Sequence, residues 1–235
     1  MNFKRNLKKL NSFKKEMKKY EHLEDTDVTS ILKWVKARQK KVKTVSKLIN
    51  LNQCKDWFLD KNNNLFHKSQ QFFKVKGVET KGAAGREVKS WTQPILTQKH
   101  GGVLAFISRQ TKKYGTQFLI DVRIEPGDDS ILKISPSFQA TQSNMNRAHG
   151  GKRPKFYDIV IQNKGAELIY YTIHNEEGAR FWKKSNWNVI VKLKNPNDRR
   201  IKGDNYRWVS FKQIKKLALK NRYVNPFVKT ILFIL

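Results

Sequence analysis

The stretch Ser135-Pro-Ser-Phe-Gln-Ala-Thr-Gln-Ser-Asn-Met-Asn-Arg-Ala-His-Gly-Gly151 strings together hydroxyls, amides, one Arg and a Gly-Gly pair. Such groups hydrogen-bond sugars and diphosphates and add little to a core. Composition alone reads equally well as a plain polar loop; the length of the run and its Gln and Asn content, with Arg147 among them, favour a ligand loop. Just upstream, Phe118-Leu-Ile-Asp-Val-Arg-Ile-Glu-Pro-Gly127 has the alternation of a strand, which sends Asp121, Arg123 and Glu125 to one face. Three charges on one face make a solvated surface or one wall of a cleft, and periodicity favours the solvated surface. Trp91-Thr-Gln-Pro-Ile95 sets an indole and the Gln93 amide before a proline that fixes the backbone. That arrangement can present both to a ligand, but a Trp packed under a loop is the commoner outcome.

Other chemistries lack their residues. The chain has no Gly-x-x-x-x-Gly-Lys-Ser/Thr, no Gly-x-Gly-x-x-Gly after a strand, no His-Glu-x-x-His and no Gly-x-Ser-x-Gly. The histidines His22, His67, His100, His149 and His174 are scattered without ligand spacing, so no metal site is expected. Cys54 stands alone, which excludes an intramolecular disulfide and fits a reducing compartment.

The elements that must position these residues fall into two textures. In the first, Phe3, Leu7, Leu10, Phe13, Met17 and Tyr20 recur at steps of three and four, a helical stripe that docks on the rest of the chain more often than on a membrane. A second helix, capped at Thr26 or Asp27, carries Val28, Ile31, Leu32, Val35, Val42 and Leu48. Residues 1–50 thus form a basic helical extension. From Trp57 the texture changes to short β-branched and aromatic runs, at 65–78, 102–108, 117–124, 131–134, 156–161, 167–173 and 187–193. Seven such runs predict a mostly antiparallel sheet system. Ser210-Phe-Lys-Gln213 has the form of a capping box before a helix with Phe211, Ile214 and Leu217, and the apolar run from Val228 to Leu235 follows. The fold class is α+β.

The net charge of +30 attracts polyanions. However, the chain has 12 Arg against 37 Lys, and Arg is the residue preferred for reading bases and phosphates, so nucleic acid is disfavoured as the main partner. An anionic small ligand such as a nucleoside diphosphate is drawn by the same field. With neither a signal-peptide core nor a long apolar span in the sequence, a cytoplasmic protein is expected.

Taken in order, Trp57-Phe-Leu-Asp, His67-Lys-Ser-Gln-Gln-Phe-Phe73, Arg-Glu-Val88, Trp91-Thr-Gln-Pro-Ile95, Gly101-Gly102, Glu125-Pro-Gly127, Gln139-Ala-Thr141, Ser143-Asn144, Arg147 and Gly150 resemble one module of the NDP-hexose 2,3-dehydratases. Asn175-Glu-Glu-Gly178, Trp187-Asn188 and Arg207-Trp-Val resemble the module's tail, so the likeness runs from about Trp57 to Leu235. The chain departs from the family pattern at Gln142, where an Arg is expected, and at Met145, where an aromatic is.

The resemblance implies a Nudix-like module over residues 51–235, a mixed or antiparallel sheet with flanking helices, without the paired glutamates of a Nudix hydrolase. Family members are similar to a tandem of two such modules, and this chain resembles the first. A nucleotide-diphosphate 4-keto-6-deoxyhexose is the implied substrate, losing water across C2 and C3 without a cofactor, and a homodimer or a second module is the implied partner. Trp91, Gln93, Gln139, Thr141, Ser143, Asn144 and Arg147 are the substrate-binding candidates. His67, Glu125 and Tyr157, with Asp121 beside them, are the available acid and base types. The competing readings are a binding-only fragment that needs a partner and a basic nucleic-acid-binding protein.

Overall fold

In a computed structural model, which describes residues 3–82, 84–98, 101–128, 131–148 and 150–235 apart from the side chains at 3, 5, 229 and 230, the first stripe winds into α1 (Phe3–Lys19). Its Leu10, Phe13 and Met17 are buried against a sheet. Phe13 meets Phe118 edge to face, the docking expected of the stripe. His100 and His149 lie outside the described residues. Helix α2 (Thr29–Gln39) is shorter than its apolar pattern implied. Asp27 accepts hydrogen bonds from the Thr29 N–H and hydroxyl, while Val42 and Leu48 fall beyond the last turn, Leu48 fully exposed.

The strands follow as β1 (Trp57–Leu59), β2 (Leu65–His67), β3 (Lys74–Thr80), β4 (Trp91–Thr97), β5 (Gly102–Thr111), β6 (Gly115–Arg123), β7 (Lys133–Pro136) and β8 (Phe138–Thr141). Two short helices, α3 (Gln142–Met145) and α4 (Tyr157–Val160), separate them from β9 (Ala166–Asn175), β10 (Phe181–Trp182), β11 (Ser185–Leu193) and β12 (Tyr206–Ser210). Helices α5 (Phe211–Ala218) and α6 (Pro226–Ile234) complete the α+β fold. A smaller sheet has the order β1-β2-β3-β4-β10; the larger runs β12-β6-β5-β11-β9, with β7 paired to β6 and β8 to β5. The strands pair mostly antiparallel, with parallel neighbours at β5/β11 and β4/β10, so both sheets are mixed.

The larger sheet is covered on both faces. On one, α1, α2, α5 and α6 bring Phe13, Ile31, Val35, Ile214, Leu217, Val228 and Ile231 onto Phe106, Phe118, Ile120 and Val122. On the other, Ile159 and Val160 of α4 and Met145 of α3 pack on Ala105, Ile107, Leu119 and Val191. A β-carbon at Gly101 would lie 1.6 Å from the Ser185 carbonyl oxygen, so only glycine lets the chain pass there.

Three sequence expectations are corrected. The run 156–161 is helical, because Phe156 enters the left-handed region at φ 65° and Val160 and Ile161 donate back to the carbonyls of Phe156 and Tyr157. Residues Trp91 to Ile95 form a strand rather than a pre-proline loop. The polar run from Ser135 is also not one loop: its first half pairs as β7 and β8, with Ser135, Ser137, Phe138 and Ala140 buried.

Candidate functional site

The three charges read on one strand face sit on the end of β6 and just beyond it, and of them Arg123 lines a cleft. Asp121 is 5% exposed, and Arg123 donates to its Oδ2 from Nε at 3.1 Å and from one terminal nitrogen at 2.5 Å. The other terminal nitrogen of Arg123 lies 3.9 Å from Glu125. Burial raises the Asp121 carboxyl above its usual range, although Arg123 pulls against it. Opposite Asp121 in register stands Tyr206 of β12. Burial, with the Asp121 charge adding, pushes its phenol up to about 12, so the O–H stays a donor across the neutral range.

Gln139 of β8 extends this array. Its Nε2 donates to Glu125 at 3.0 Å, while its Oε1 is buried with no donor from the described residues. Beyond β8 the chain turns into α3, capped by Thr141, whose hydroxyl accepts from the Asn144 N–H at 3.3 Å and lies 2.8 Å from the Ser143 hydroxyl. Arg147 then takes φ 59° and closes the turn. Gln139, Asn144 and Arg147 therefore line one cavity of about 510 Å³, together with Arg123, Lys152, Lys155 and Tyr206. The Lys155 ammonium sits 4.3 Å from the Tyr206 ring centre. Four cations around amides and a phenol suit an anionic, hydroxyl-bearing ligand, and the volume is of the size that small-molecule sites have.

The opposite side of α3 faces a second cavity of about 720 Å³. Here Gln142, Ser143 and Asn146 look across to Lys74, Lys76, Thr97 and Trp182 of the smaller sheet and to Gln70, Gln71, Phe72 and Gln98 beside its strands. The polar run is thus divided between two cavities by one turn of helix.

The remaining sequence candidates line neither cavity. The Trp91 indole N–H donates to Gln93 at 2.8 Å and the Gln93 amide donates to the Ala179 carbonyl at 2.6 Å, so the two are tied to each other within the smaller sheet. His67 bonds the Ser69 hydroxyl at 2.8 Å and is flanked by the rings of Trp57 and Phe72. Tyr157 packs against the core with the Arg153 guanidinium 4.6 Å from its ring centre. Glu125 touches the first cavity's wall through Gln139. Sequence reasoning did not single out Tyr206, Lys152, Lys155 or Trp182; only the tail motif beginning at Arg207 pointed near the first of these. Among the described residues, no group of three or more His, Cys, Asp and Glu could hold a metal ion, and no helix is long and apolar enough to cross a membrane.

Residues 28–235 match the family model described as NDP-hexose 2,3-dehydratase. The chain is similar to three enzymes named dTDP-4-dehydro-6-deoxy-alpha-D-glucopyranose 2,3-dehydratase. It is 30% identical over 180 residues to that of Amycolatopsis orientalis (75% of this chain, 37% of that one). Identity is 28% over 185 residues for Saccharopolyspora spinosa (78% and 37%) and 26% over 213 residues for Streptomyces violaceoruber (88% and 45%). The chain therefore spans less than half the length of the curated relatives it matches. Among solved structures, a crystal structure of ADP compounds hydrolase is similar at a TM-score of 0.42 and 10% identity, covering 69% of this chain and 83% of that one.

Proposed function

We propose, from the premise that this chain belongs to the NDP-hexose 2,3-dehydratase family, that it is a dehydratase module whose substrate is a nucleotide-diphosphate 4-keto-6-deoxyhexose. The observation that carries the proposal is the cavity in which Gln139, Asn144 and Arg147 meet Arg123, Lys152, Lys155 and Tyr206. In this reading Arg147, Lys152 and Lys155 hold the diphosphate, while Gln139 and Asn144 orient the sugar.

The reaction needs a base and a donor. A ketone at C4 acidifies the proton on C3; a base removes it, an enolate forms, and the hydroxyl on C2 leaves as water once it is protonated. No electrons are gained or lost, and the enol left behind tautomerises to a 2-deoxy-3,4-diketo sugar. Of the acid and base types singled out from sequence, Glu125 stands against the wall of this cavity, so we assign it the C3 proton. Tyr206, a neutral phenol at working pH, is assigned to the enolate oxygen or the leaving hydroxyl. His67 and Tyr157, as well as Trp91, Gln93, Thr141 and Ser143, take supporting positions in this reading.

Because the relatives are more than twice as long as the matched segment, we propose that the working particle is completed by a second copy of this chain or by a second module, in the cytoplasm. The test incubates the purified chain with dTDP-4-keto-6-deoxyglucose and a 3-ketoreductase that traps the unstable product, following the mass of the sugar. Loss of the 2-hydroxyl, reduced at least tenfold by Arg147→Ala and by Tyr206→Phe, is the expected result. Saturable binding without turnover would identify a module that lacks its complement. Neither binding nor turnover would overturn the proposal.

A further inference from the structure

The registers of the smaller sheet place Phe58 opposite Phe66, Phe66 opposite Lys74, Lys74 opposite Thr97, and Thr97 opposite Trp182. Directly opposed residues share a face, so one transverse row crosses all five strands on one side of the sheet. Its contacts agree: the Phe58 and Phe66 rings are 6.4 Å apart, the Lys74 ammonium lies 5.9 Å from the Phe66 ring centre, and Lys74, Thr97 and Trp182 line the same cavity. At about 4.8 Å per strand the row is about 19 Å long.

Toward its middle this face looks across a cavity at α3, and Ile95, two residues before Thr97 and so on the same face, is buried; its ends are open, with Phe58 and Trp182 52% and 47% exposed. The half-exposed rings of Phe58 and Trp182 offer π-faces on both flanks of Lys74. Among the described residues, the cavity between row and α3 is lined by amides, hydroxyls, rings and ammonium groups without a carboxylate: Lys76 stands beside Lys74, and Lys183 lies 5.0 Å from the Trp182 ring centre. Near the Phe58 end stands an acid, Asp60, whose charge acts on Lys76.

We propose that this face binds single-stranded nucleic acid, with bases stacked on Phe58 and Trp182 and the backbone lying along Lys74 and Lys76. Stacking needs π-faces and positive charge rather than Arg forks, since every base offers a face whatever its sequence. The lysine-rich, arginine-poor composition that argues against base reading is therefore compatible with this mode. The length of the row exceeds what one base can cover, and the +30 charge of the chain supplies the long-range attraction. The inference goes beyond the dehydratase reading and does not depend on it.

The test uses the full chain and a fluorescent oligothymidylate of about ten nucleotides, followed by anisotropy across a salt series, with duplex DNA of equal length, heparin and dTDP as comparison ligands. Binding of the single strand should exceed that of the duplex. Trp182→Ala and Phe58→Ala should each weaken it by about tenfold while heparin binding is unchanged, and Lys74→Gln should flatten the salt dependence. Thermal melting verifies that these surface variants fold, and Trp182→Phe should retain most of the affinity. Equal affinity for single strand, duplex and heparin, with no effect of Trp182→Ala, would reduce the face to a simple positive field and overturn the proposal. So would displacement by dTDP with no dependence on oligonucleotide length, which identifies a mononucleotide site. Nucleotide-sugar binding that survives Trp182→Ala, whatever the oligonucleotide result, keeps the two readings separate.

Discussion

Arg123 is the residue on which the site's electrostatics turn. It satisfies a carboxylate that is 5% exposed and lines the cavity at the same time. Replacing it, as Arg123→Met, keeps most of the stem but leaves Asp121 buried without its cation, for which we expect a loss of about 3 kcal/mol near neutral pH. The sign of the pH dependence follows from the raised carboxyl. The folded state binds the Asp121 proton more tightly than the unfolded chain does, so this group's contribution to stability grows as pH falls through the folded pKa toward the ordinary value of 3.8. Without Arg123 that pKa rises further, and the deficit of the variant shrinks on acidification. Urea unfolding at about pH 7 and about pH 5 measures it; an equal deficit at both would mean that the charge of Asp121 is not the cause. From sequence alone the strand could be seen but not its surroundings, because alternation says which residues share a face and not what faces them. Tyr206, which comes from a strand 85 residues later in the chain, completes that environment.

Elements whose signals are local were legible, and those decided by tertiary contacts were not. The Ser210–Gln213 capping box is present with both reciprocal bonds, Gln213 N–H to the Ser210 hydroxyl at 3.0 Å and Ser210 N–H to the Gln213 side-chain Oε1 at 2.9 Å. By contrast, the run at 156–161 has the β-branched and aromatic residues of a buried strand, yet the chain turns at the left-handed Phe156 into a short helix packed on the sheet. Capping also ties two distant segments together. The Gln213 amide nitrogen donates to the Asp25 carboxylate at 3.0 Å and to the Asp27 carbonyl at 2.7 Å, fixing the turn between α1 and α2 to α5. Gln213→Ala removes the reciprocal cap and both ties from a 5%-exposed position, and we expect it to destabilise the chain by about 2–3 kcal/mol. Gln213→Glu keeps an acceptor for the cap but sets a negative charge against Asp25, so it should recover only part of the loss. Thermal unfolding of the two variants distinguishes a cap from a tie; equal stability of the Glu variant and the parent would show that the contact with Asp25 contributes nothing.

At the scale of the whole molecule, ordered motifs pointed to the family, whereas the boundary of the folded unit depends on packing that no motif reports. The family match begins at residue 28, after α1. Yet Phe13 and Met17 belong to the same buried cluster as Phe118, Ile120 and Val209. Asn6 exchanges hydrogen bonds with the backbone of Tyr171 on the edge strand β9, and Lys192 reaches Glu16 at 2.6 Å. Uncovering the sheet removes several buried apolar side chains at once, at about 2–5 kcal/mol each, against a total stability of about 5–15 kcal/mol for an ordinary domain. The segment 28–235 should therefore fail to unfold cooperatively, while the full chain shows a single sharp transition that Phe13→Ala lowers by about 3–4 kcal/mol. Calorimetry on the two lengths decides it. A cooperative transition of the shorter chain at the temperature of the full one would mean that α1 is an appendage, and that the exposed faces of Phe118 and Phe106 are covered by some other part of the protein.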